Sequence, residues 1–323
     1  MMKELLVTGG LGFLGSYTLE KFKQDGSYNI TVIDNLSSNT ISPNDKIADG
    51  CGVIIKNCTE YDWKKSKKFD LIIHLASPVG PVGILKHSGR IAKAIIEETY
   101  WAIEGTRKFN CPLIFVSTSE IYGYRGKVEF LREDDYKMLV GDFKVRNEYS
   151  IAKLLSEIIL SNLSKIDLNL KYHIIRPFNI SGPRQLKDGG FVLPTFFEQA
   201  FANKPITVFL DGKQIRSFTH ARDIVDGFYL LSHGNTTWNQ IWNVGTKNNT
   251  TTIGELATKV KRITGSSSEI INVDPKALHG KLYEEAWDKV PDSYKLETEL
   301  GWNARYSIDD IIEDLYKYYK EKN

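Results

Sequence analysis

The sequence predicts an α/β protein built on a doubly wound parallel sheet, and three observations carry that prediction. Short apolar segments, such as residues 70–75, alternate with helix-like segments through the first half of the chain. Strands that are apolar throughout are buried on both faces, which is typical of parallel sheets covered by helices. A glycine cluster follows the first apolar segment and precedes the first helix. The length of 323 residues suggests two lobes at about 150 residues per domain.

The predicted elements follow in order along the chain. Strands of the first half are expected at residues 3–8, 29–34, 53–55, 70–75, 113–116 and 172–175. Helices have apolar residues at helical spacing and are expected at residues 17–24, 84–109 and 149–163. After Pro177 the pattern loosens, with strands expected at 206–210 and 241–244 and a helix at 223–231. Thr252 and Glu255 form a capping box that opens a helix to about residue 264, and a last amphipathic helix spans 308–319.

Composition and charge argue against several classes of function. Lys and Arg number 42 against 40 Asp and Glu, so the surface lacks the basic excess that a nucleic-acid binder needs. The three cysteines are scattered without metal-type spacing, which predicts reduced thiols, no metal site and a cytoplasmic protein. No apolar stretch reaches about 18 residues, so no membrane span is expected.

The glycine cluster runs from Thr8 to Gly15 with the sequence TGGLGFLG. Glycines at Gly9, Gly12 and Gly15 let the backbone turn tightly and approach a pyrophosphate, which then lies on the helix N-terminus. Any tight turn uses glycine, but the strand–loop–helix context favours a dinucleotide-binding Rossmann opening.

Asp34 ends the second predicted strand, about 20 residues after the last glycine of the cluster. A carboxylate there can accept hydrogen bonds from the adenine ribose hydroxyls, and it would repel the 2′-phosphate of NADP. The pattern therefore predicts NAD as the cofactor. The alternative is a solvated Asp at a strand end.

Tyr149 and Lys153 lie one helical turn apart on the same face of a predicted helix. A Lys ammonium near a phenol stabilises the phenolate and lowers the Tyr pKa from about 10 towards neutrality. The phenol can then act as a general base on a substrate hydroxyl. A lone Tyr-x-x-x-Lys pair is common on surfaces, and its position after a Rossmann opening makes it a catalytic candidate.

Polar residues Ser117, Thr118, Ser119 and Glu120 follow the predicted strand at 113–116. Ligands of doubly wound sheets bind at the carboxyl ends of the strands, where these side chains lie. Thr118 is expected to hydrogen-bond a sugar hydroxyl and Glu120 to be a second base or acid. A plain polar turn is the alternative for both.

These motifs together resemble the extended short-chain dehydrogenase/reductase family, in its nucleotide-sugar epimerase, dehydratase and decarboxylase branch. The resemblance extends from Thr8 to about Trp302, nearly the whole chain. Beyond the glycine cluster and the Tyr149/Lys153 pair, the matching segments are 34–36, 74–76, 117–123, 176–179, 182–184, 211–218, 242–245, 291–292 and 300–302. They are specific for the family and less so for the reaction within it.

The resemblance implies an NAD-dependent enzyme in which Tyr149, Lys153 and Thr118 oxidise C4 of a nucleotide-diphosphate sugar to a ketone. The residues it implies at the cofactor, besides Asp34, Tyr149 and Lys153, are Gly9, Gly12, Phe13, Leu14, Gly15, Asn35, Leu75, Ala76 and Ser117. Those it implies at the catalytic centre include Ser119 and Glu120, and those at the substrate are Asn179, Arg216, Pro78, Arg184 and Lys289. Asn179 and Arg216 are expected at the diphosphate.

The same resemblance implies a Rossmann domain over residues 1–175 and a smaller mixed α/β substrate-binding lobe over 176–323. Segments of that lobe are expected to return to the Rossmann domain. Family members commonly form homodimers through the helices that correspond to residues 91–109 and 149–163.

The chain departs from the family pattern at four positions. Ser119-Glu120 stand where dTDP-glucose 4,6-dehydratases carry Asp-Glu, and a serine cannot donate a proton as a carboxylic acid would. Lys289 stands where decarboxylases carry Arg, so it would hold a carboxylate as a point charge and not through two parallel bonds. Ala102 replaces an Asn that supports the active-site helix. Cys58, or alternatively Asn57, stands where the family has an acidic residue that contacts adenine.

The reaction is left open by these departures. The 4-keto sugar is expected either as the product or as the intermediate of 4,6-dehydration or epimerisation. The alternative is oxidative decarboxylation of a nucleotide-diphosphate uronic acid at C4. A non-catalytic NAD sensor or scaffold is the alternative from another class, which the presence of both Tyr149 and Lys153 disfavours.

Overall fold

A computed structural model describes residues 2–78, 80–123, 130–137, 144–286 and 288–322, with the Lys187 side chain excepted. Its centre is a parallel sheet of seven strands. The strands of the described residues are β1 (Lys3–Thr8), β2 (Tyr28–Asp34), β3 (Gly52–Ile55), β4 (Leu71–His74), β5 (Leu113–Val116), β6 (Phe130–Leu131), β7 (Tyr172–Pro177), β8 (Ile180–Ser181), β9 (Ile206–Phe209), β10 (Ile215–Ser217), β11 (Thr219–His220), β12 (Gln240–Val244), β13 (Thr250–Thr252), β14 (Ile270–Val273) and β15 (Val290–Pro291).

The helices of the described residues separate these strands in the manner expected of a doubly wound fold. They are α1 (Phe13–Asp25), α2 (Pro81–Lys86), α3 (Ile91–Phe109), α4 (Val145–Ile166), α5 (Val192–Phe201), α6 (Ala221–His233), α7 (Ile253–Thr264), α8 (Pro275–His279), α9 (Tyr294–Leu300) and α10 (Ile308–Lys322).

The sheet order is β12-β7-β5-β4-β1-β2-β3, with the direction of winding reversed between β1 and β4. The apolar side chains of each strand point alternately to the two faces of the sheet. In β1, Leu5 and Val7 join the core beneath α1 and α6, while Leu6 joins the core beneath α3. The prediction of a doubly wound parallel sheet is therefore confirmed, and its switch point lies at the carboxyl end of β1 and β4.

The second half of the chain builds a separate hydrophobic core. Side chains of α5, α7 and α10 pack together with β9, with Phe197, Leu256 and Leu315 buried at the centre. The capping box predicted at Thr252 and Glu255 makes both of its reciprocal hydrogen bonds. One strand of this half, β12, pairs with β7 and forms an edge of the central sheet.

Two sequence expectations differ from the observed elements. The single helix expected over residues 84–109 is wrong, since α2 and α3 are separate and Gly89 between them has φ of +78°. A continuous right-handed helix cannot contain such a left-handed residue. The helices α5, α8 and α9 were not predicted: Phe191 and Ser293 before α5 and α9 make no side-chain cap bond, and α8 has five residues.

No helix within the described residues is long and apolar enough to cross a membrane. The three cysteines, Cys51, Cys58 and Cys111, are free thiols.

Candidate active site

The glycine cluster forms a tight loop between β1 and α1. Gly9 has φ of +66°, and its N–H donates to the Ile33 carbonyl at 2.8 Å, which ties the loop to β2. A Cβ on Gly15 would lie 2.1 Å from the Gly9 carbonyl oxygen and 2.6 Å from Gly10 Cα. Only glycine fits at position 15, and Gly12 begins α1 without a side-chain cap. The free N–H groups of this helix end suit an anion, so the loop fits the diphosphate of NAD.

Asp34 lies at the end of β2 with both carboxylate oxygens engaged. Oδ2 accepts from the Leu11 N–H at 3.0 Å, and Oδ1 accepts from the Leu36 N–H at 2.8 Å. These bonds fix the carboxylate beside the glycine loop, which is where an adenine ribose would be recognised. The neighbouring Asn35 caps its own turn by accepting from Ser37 N–H at 3.0 Å.

The chain after β4 is held against the same loop. The Thr8 hydroxyl oxygen accepts from the N–H groups of Leu75 and Ala76, each at 3.2 Å. A Cβ on Gly9 would come within 3.0 Å of the Ala76 nitrogen. The predicted cofactor residues of β1, β2 and β4 thus lie together at the switch point, with Phe13 and Leu14 in the first turn of α1.

Tyr149 and Lys153 lie on α4 and are both buried. The Tyr149 phenol lies beside the Thr118 side chain, which favours the phenolate and brings together the two residues predicted to contact the sugar hydroxyl. The Lys153 ammonium donates to the Val116 carbonyl at 3.0 Å. Burial raises the pKa of Tyr149 and lowers that of Lys153. We expected Lys153 to lower the pKa of Tyr149, and the structure does not show this effect. Burial has the largest influence on the Tyr149 pKa, and the Lys153 ammonium donates to the Val116 carbonyl of β5.

Residues 117–120 each have a defined partner or position at the end of β5. Ser117 donates its hydroxyl to the Glu157 carboxylate, which in turn pairs with Arg176 at 2.6 Å. The Thr118 hydroxyl oxygen accepts from the Glu120 N–H at 3.2 Å and caps the short 3₁₀ turn at Ser119–Tyr122. Ser119 is buried in that turn. This network holds Thr118 rigidly toward Tyr149.

Glu120 is at the centre of a buried charged cluster. Arg146 binds its carboxylate through two bonds, Nε to Oε2 at 2.7 Å and Nη2 to Oε1 at 3.3 Å. Lys289 also donates to Oε1. The two cations offset the cost of burial and hold the pKa of Glu120 well below its ordinary value. We refer to Glu120, Arg146 and Lys289 as the charged cluster.

Arg216 and Asn179 lie beside the charged cluster. The backbone of Arg216 forms an isolated parallel β-bridge with that of Lys289. The Arg216 guanidinium pairs with Glu285 at 2.8 Å and with Asp288 at 3.4 Å. The Asn179 amide donates to the Ser217 carbonyl at 3.1 Å, one residue beyond Arg216. Asn179 and Arg216, the two residues predicted at the diphosphate, therefore lie next to each other. The Arg216 guanidinium is held by the acidic side chains of Glu285 and Asp288.

Two predicted substrate residues occupy other settings. Arg184 forms two bonds to the Glu20 carboxylate, at 2.8 and 2.7 Å, and its guanidinium stacks on Tyr17 at 3.9 Å. These partners belong to α1, so Arg184 is not joined to the charged cluster. Pro78 follows β4 in a loop whose Gly80 packs against Gly189 of the second half.

Sequence reasoning missed Arg146 and Glu98. Arg146 lies three residues before Tyr149, on the same helix face, and a cation in the first turn of a helix is opposed by the helix dipole. A cation in this unfavourable position predicts a nearby carboxylate, which the structure shows to be Glu120. Glu98, on α3, is 8% exposed although it is a carboxylate.

Two of the departures from the family pattern lie in the apolar core beneath α3. Ala102 is one of them, and the other is Cys58, whose thiol has its pKa raised by burial.

Comparisons with known proteins agree with this geometry. A model of the NAD dependent epimerase/dehydratase family matches residues 5–245. The chain is 28% identical over 325 residues to UDP-N-acetyl-alpha-D-glucosaminuronate decarboxylase of Bacillus cytotoxicus, covering 99% of each chain. It is 25% identical to the structure of UDP-glucose 4-epimerase of Thermotoga maritima with UDP-glucose, with a TM-score of 0.85 and 99% of each chain covered.

A third similar protein is UDP-glucuronic acid 4-epimerase of Bacillus cereus, solved with UDP-glucuronic acid and NAD. The identity is 23% and the TM-score 0.84, with 99% of this chain and 100% of that chain covered. At that identity the likeness supports the shared fold.

Proposed function

The chain belongs to the NAD-dependent epimerase/dehydratase family, and we propose that it decarboxylates a nucleotide-diphosphate uronic acid after oxidation at C4. It is an NAD-dependent enzyme that acts on a nucleotide sugar. Among the reactions that the sequence leaves open, decarboxylation is supported by the charged cluster and by the decarboxylase relative.

The charge balance of the buried groups is the observation that carries this proposal. Arg146, Lys289 and Arg216 are buried cations, and Glu120 is the buried carboxylate among them. Glu285 and Asp288, which pair with Arg216, are partly exposed. The three cations therefore meet three carboxylates, and the two at Arg216 can turn to solvent when a ligand binds. A diphosphate at Arg216 would take the place of those two carboxylates, and a sugar carboxylate would lie near Lys289.

The first chemical step is assigned to Tyr149 and Thr118. The Tyr149 phenolate accepts the proton of the C4 hydroxyl, and the Thr118 hydroxyl beside the phenol orients that oxygen. NAD, when bound, supplies the acceptor for the hydride from C4. Lys153, one helical turn away, is assigned the role of stabilising the phenolate once NAD and sugar are bound, since without them its ammonium donates to the Val116 carbonyl.

The second step needs little from the protein once C4 is a ketone. The carboxylate on C5 is then that of a β-keto acid. Its bond to C5 breaks, carbon dioxide leaves, and the electron pair stays as an enolate that takes up a proton from solvent at C5 and gives a 4-keto pentose. Lys289 and Arg146 hold the carboxylate before the bond breaks. Glu120, ionised in the charged cluster, is a base and counter-ion in this arrangement and not a proton donor.

Epimerisation at C4 is a second candidate, since it begins with the same oxidation. The likeness to a 4-epimerase over 99% of both chains supports it. In that case the 4-keto sugar accepts the hydride back on its other face and the carboxylate is not required.

The organisation of the chain completes the proposal. Residues 1–175 form the NAD-binding domain and 176–323 the nucleotide-sugar lobe, with β12 returned to the sheet. The cofactor residues are those of the glycine loop, Asp34 and the end of β4.

A homodimer through α3 and α4 is supported by exposed apolar side chains on α4. These are Ile151, Leu155 and Ile158. Free cysteines fit a cytoplasmic location.

Product analysis tests the proposal. Purified protein is incubated with NAD and a panel of nucleotide-diphosphate hexoses and uronic acids, and the products are identified by mass spectrometry. We expect loss of carbon dioxide from a uronic acid, with activity lost in Lys289→Met and retained in Lys204→Met, an exposed control. An epimerised product of unchanged mass, or turnover of neutral hexoses only, overturns decarboxylation and leaves C4 oxidation in place.

A further inference from the structure

Glu98 is a buried carboxyl group that the proposed mechanism does not use. It lies on α3, is buried, and its Oε2 atom has no hydrogen-bond partner within the described part of the chain. A buried carboxylate without a partner is costly, so a group in this position calls for a nearby positive charge or a functional reason.

The register between α3 and α4 brings Glu98 beside Lys153. The Thr99 hydroxyl hydrogen-bonds the Ser156 hydroxyl at 2.8 Å, which locks the two helices together at the residue after Glu98. One turn earlier, Ile95 and Ala152 pack in the same apolar cluster as Tyr149. Glu98, three residues after Ile95, and Lys153, next to Ala152, therefore both lie where α3 packs on α4.

The electrostatic surroundings agree with that alignment. Burial raises the pKa of Glu98 and lowers that of Lys153, and each charge opposes the other group's shift. The Lys153 ammonium donates to one carbonyl, that of Val116, so it retains capacity for another anionic contact. The buried titratable groups around this pair are Cys58 in the 3₁₀ turn after β3, Glu157 on α4 and His74 on β4, while Glu97 acts on Glu98 from the exposed face of α3.

We propose that Glu98 is a positioning residue, the buried counter-ion that keeps the Lys153 ammonium charged and in place one helical turn from Tyr149. The proposal rests on the proposed function, since it assigns to Glu98 the support of the general base. Ala102, one turn further along α3, offers no polar group for this task. Glu98 thus supplies the polar contact from α3.

Loss of the carboxylate has a definite consequence for the pH dependence of catalysis. With Glu98 neutral, Lys153 loses its proton at lower pH, and the phenolate of Tyr149 loses its stabilising cation. In Glu98→Gln the basic limb of the kcat/KM profile is expected to shift to lower pH by about one unit. Activity at alkaline pH then falls by about tenfold, while activity near neutrality falls less.

The matched control is Glu97→Gln, which removes an exposed carboxylate from the adjacent position of the same helix. Its pH profile is expected to stay that of the parent protein. Glu98→Asp keeps the charge and should restore most of the basic limb, even if the shorter side chain weakens folding. A basic limb that is the same in the parent, Glu98→Gln and Glu97→Gln overturns the proposal.

A second measurement does not depend on activity. Urea unfolding at pH 8 of the parent, Glu98→Gln, Lys153→Met and the double variant forms a double-mutant cycle. We expect non-additive effects, with Glu98→Gln costing stability when Lys153 is present and little when it is replaced. Additive effects overturn the pairing. If the parent turns over no nucleotide sugar, the proposed function fails while the cycle still decides whether Glu98 and Lys153 interact.

Discussion

Lys289 and Glu120 form a buried ion pair although 169 residues separate them in the chain. Glu120 follows β5 of the central sheet, and Lys289 precedes β15, so the pair joins the two halves of the protein. Arg146 binds the same carboxylate from α4. This three-way contact places the charge of the second half at the carboxyl ends of the strands, where Tyr149 also lies.

Tyr149→Phe is expected to lower kcat/KM with nucleotide sugars by about 10²–10⁴-fold, because it removes the general base. NAD affinity should change little, since the ring and its packing remain. The appearance of NADH absorbance on addition of substrate measures the first effect, and calorimetric titration with NAD measures the second. Tyr100→Phe, an exposed position on α3, is the control. Full activity in Tyr149→Phe contradicts the assignment.

Glu120→Gln is expected to destabilise the fold at neutral pH by about 3–5 kcal/mol, since it leaves two buried cations without their carboxylate. The pKa of Glu120 is lowered in the folded state, so its contribution is present above the ordinary value of 4.5 and is lost as the pH falls. Urea unfolding at pH 7 and pH 4 measures this. The difference between parent and variant should shrink at pH 4, and equal differences at both values contradict it. Glu104→Gln, exposed on α3, is the control.

Gly15→Ala is expected to weaken NAD binding at least tenfold and to destabilise the fold by about 1–3 kcal/mol. The new Cβ would meet backbone atoms of Gly9 and Gly10 that cannot move without distorting the loop. Gly83→Ala in α2 is the matched control, because no atom lies within 4 Å of its Cβ position. That change should be neutral or stabilise by up to about 1 kcal/mol. Unchanged NAD affinity in Gly15→Ala would mean that the loop does not hold the diphosphate.

Ile158→Glu is expected to convert a homodimer into a monomer. Ile158 is an apolar residue of α4 that is 46% exposed, and a charge there would be buried in an interface made by α3 and α4. Light scattering after size-exclusion chromatography gives the mass. Ile166→Glu, at the end of the same helix and 81% exposed, should leave the dimer intact. A monomeric parent protein would rule out this interface.

Local features of the site were predictable because they depend on neighbours in sequence. The glycine loop, the capping box at Thr252 and the one-turn spacing of Tyr149 and Lys153 are properties of short segments. The doubly wound parallel sheet was also predictable, since apolar strands alternating with helices form few topologies. The family and its NAD dependence therefore came from the sequence alone.

Tertiary structure decided which charged groups meet. Glu98 is buried near Lys153 because α3 packs on α4, and Lys289 reaches Glu120 because the second half folds back over the sheet. Arg184 resembles a substrate residue in sequence, yet its guanidinium pairs with Glu20 of α1. Side-chain charges carry no local pattern that names a distant partner. The sequence by itself determined the fold and the cofactor and proposed Tyr149 as the general base. Packing determined the electrostatics around these groups, because burial and partner choice depend on contacts between distant segments.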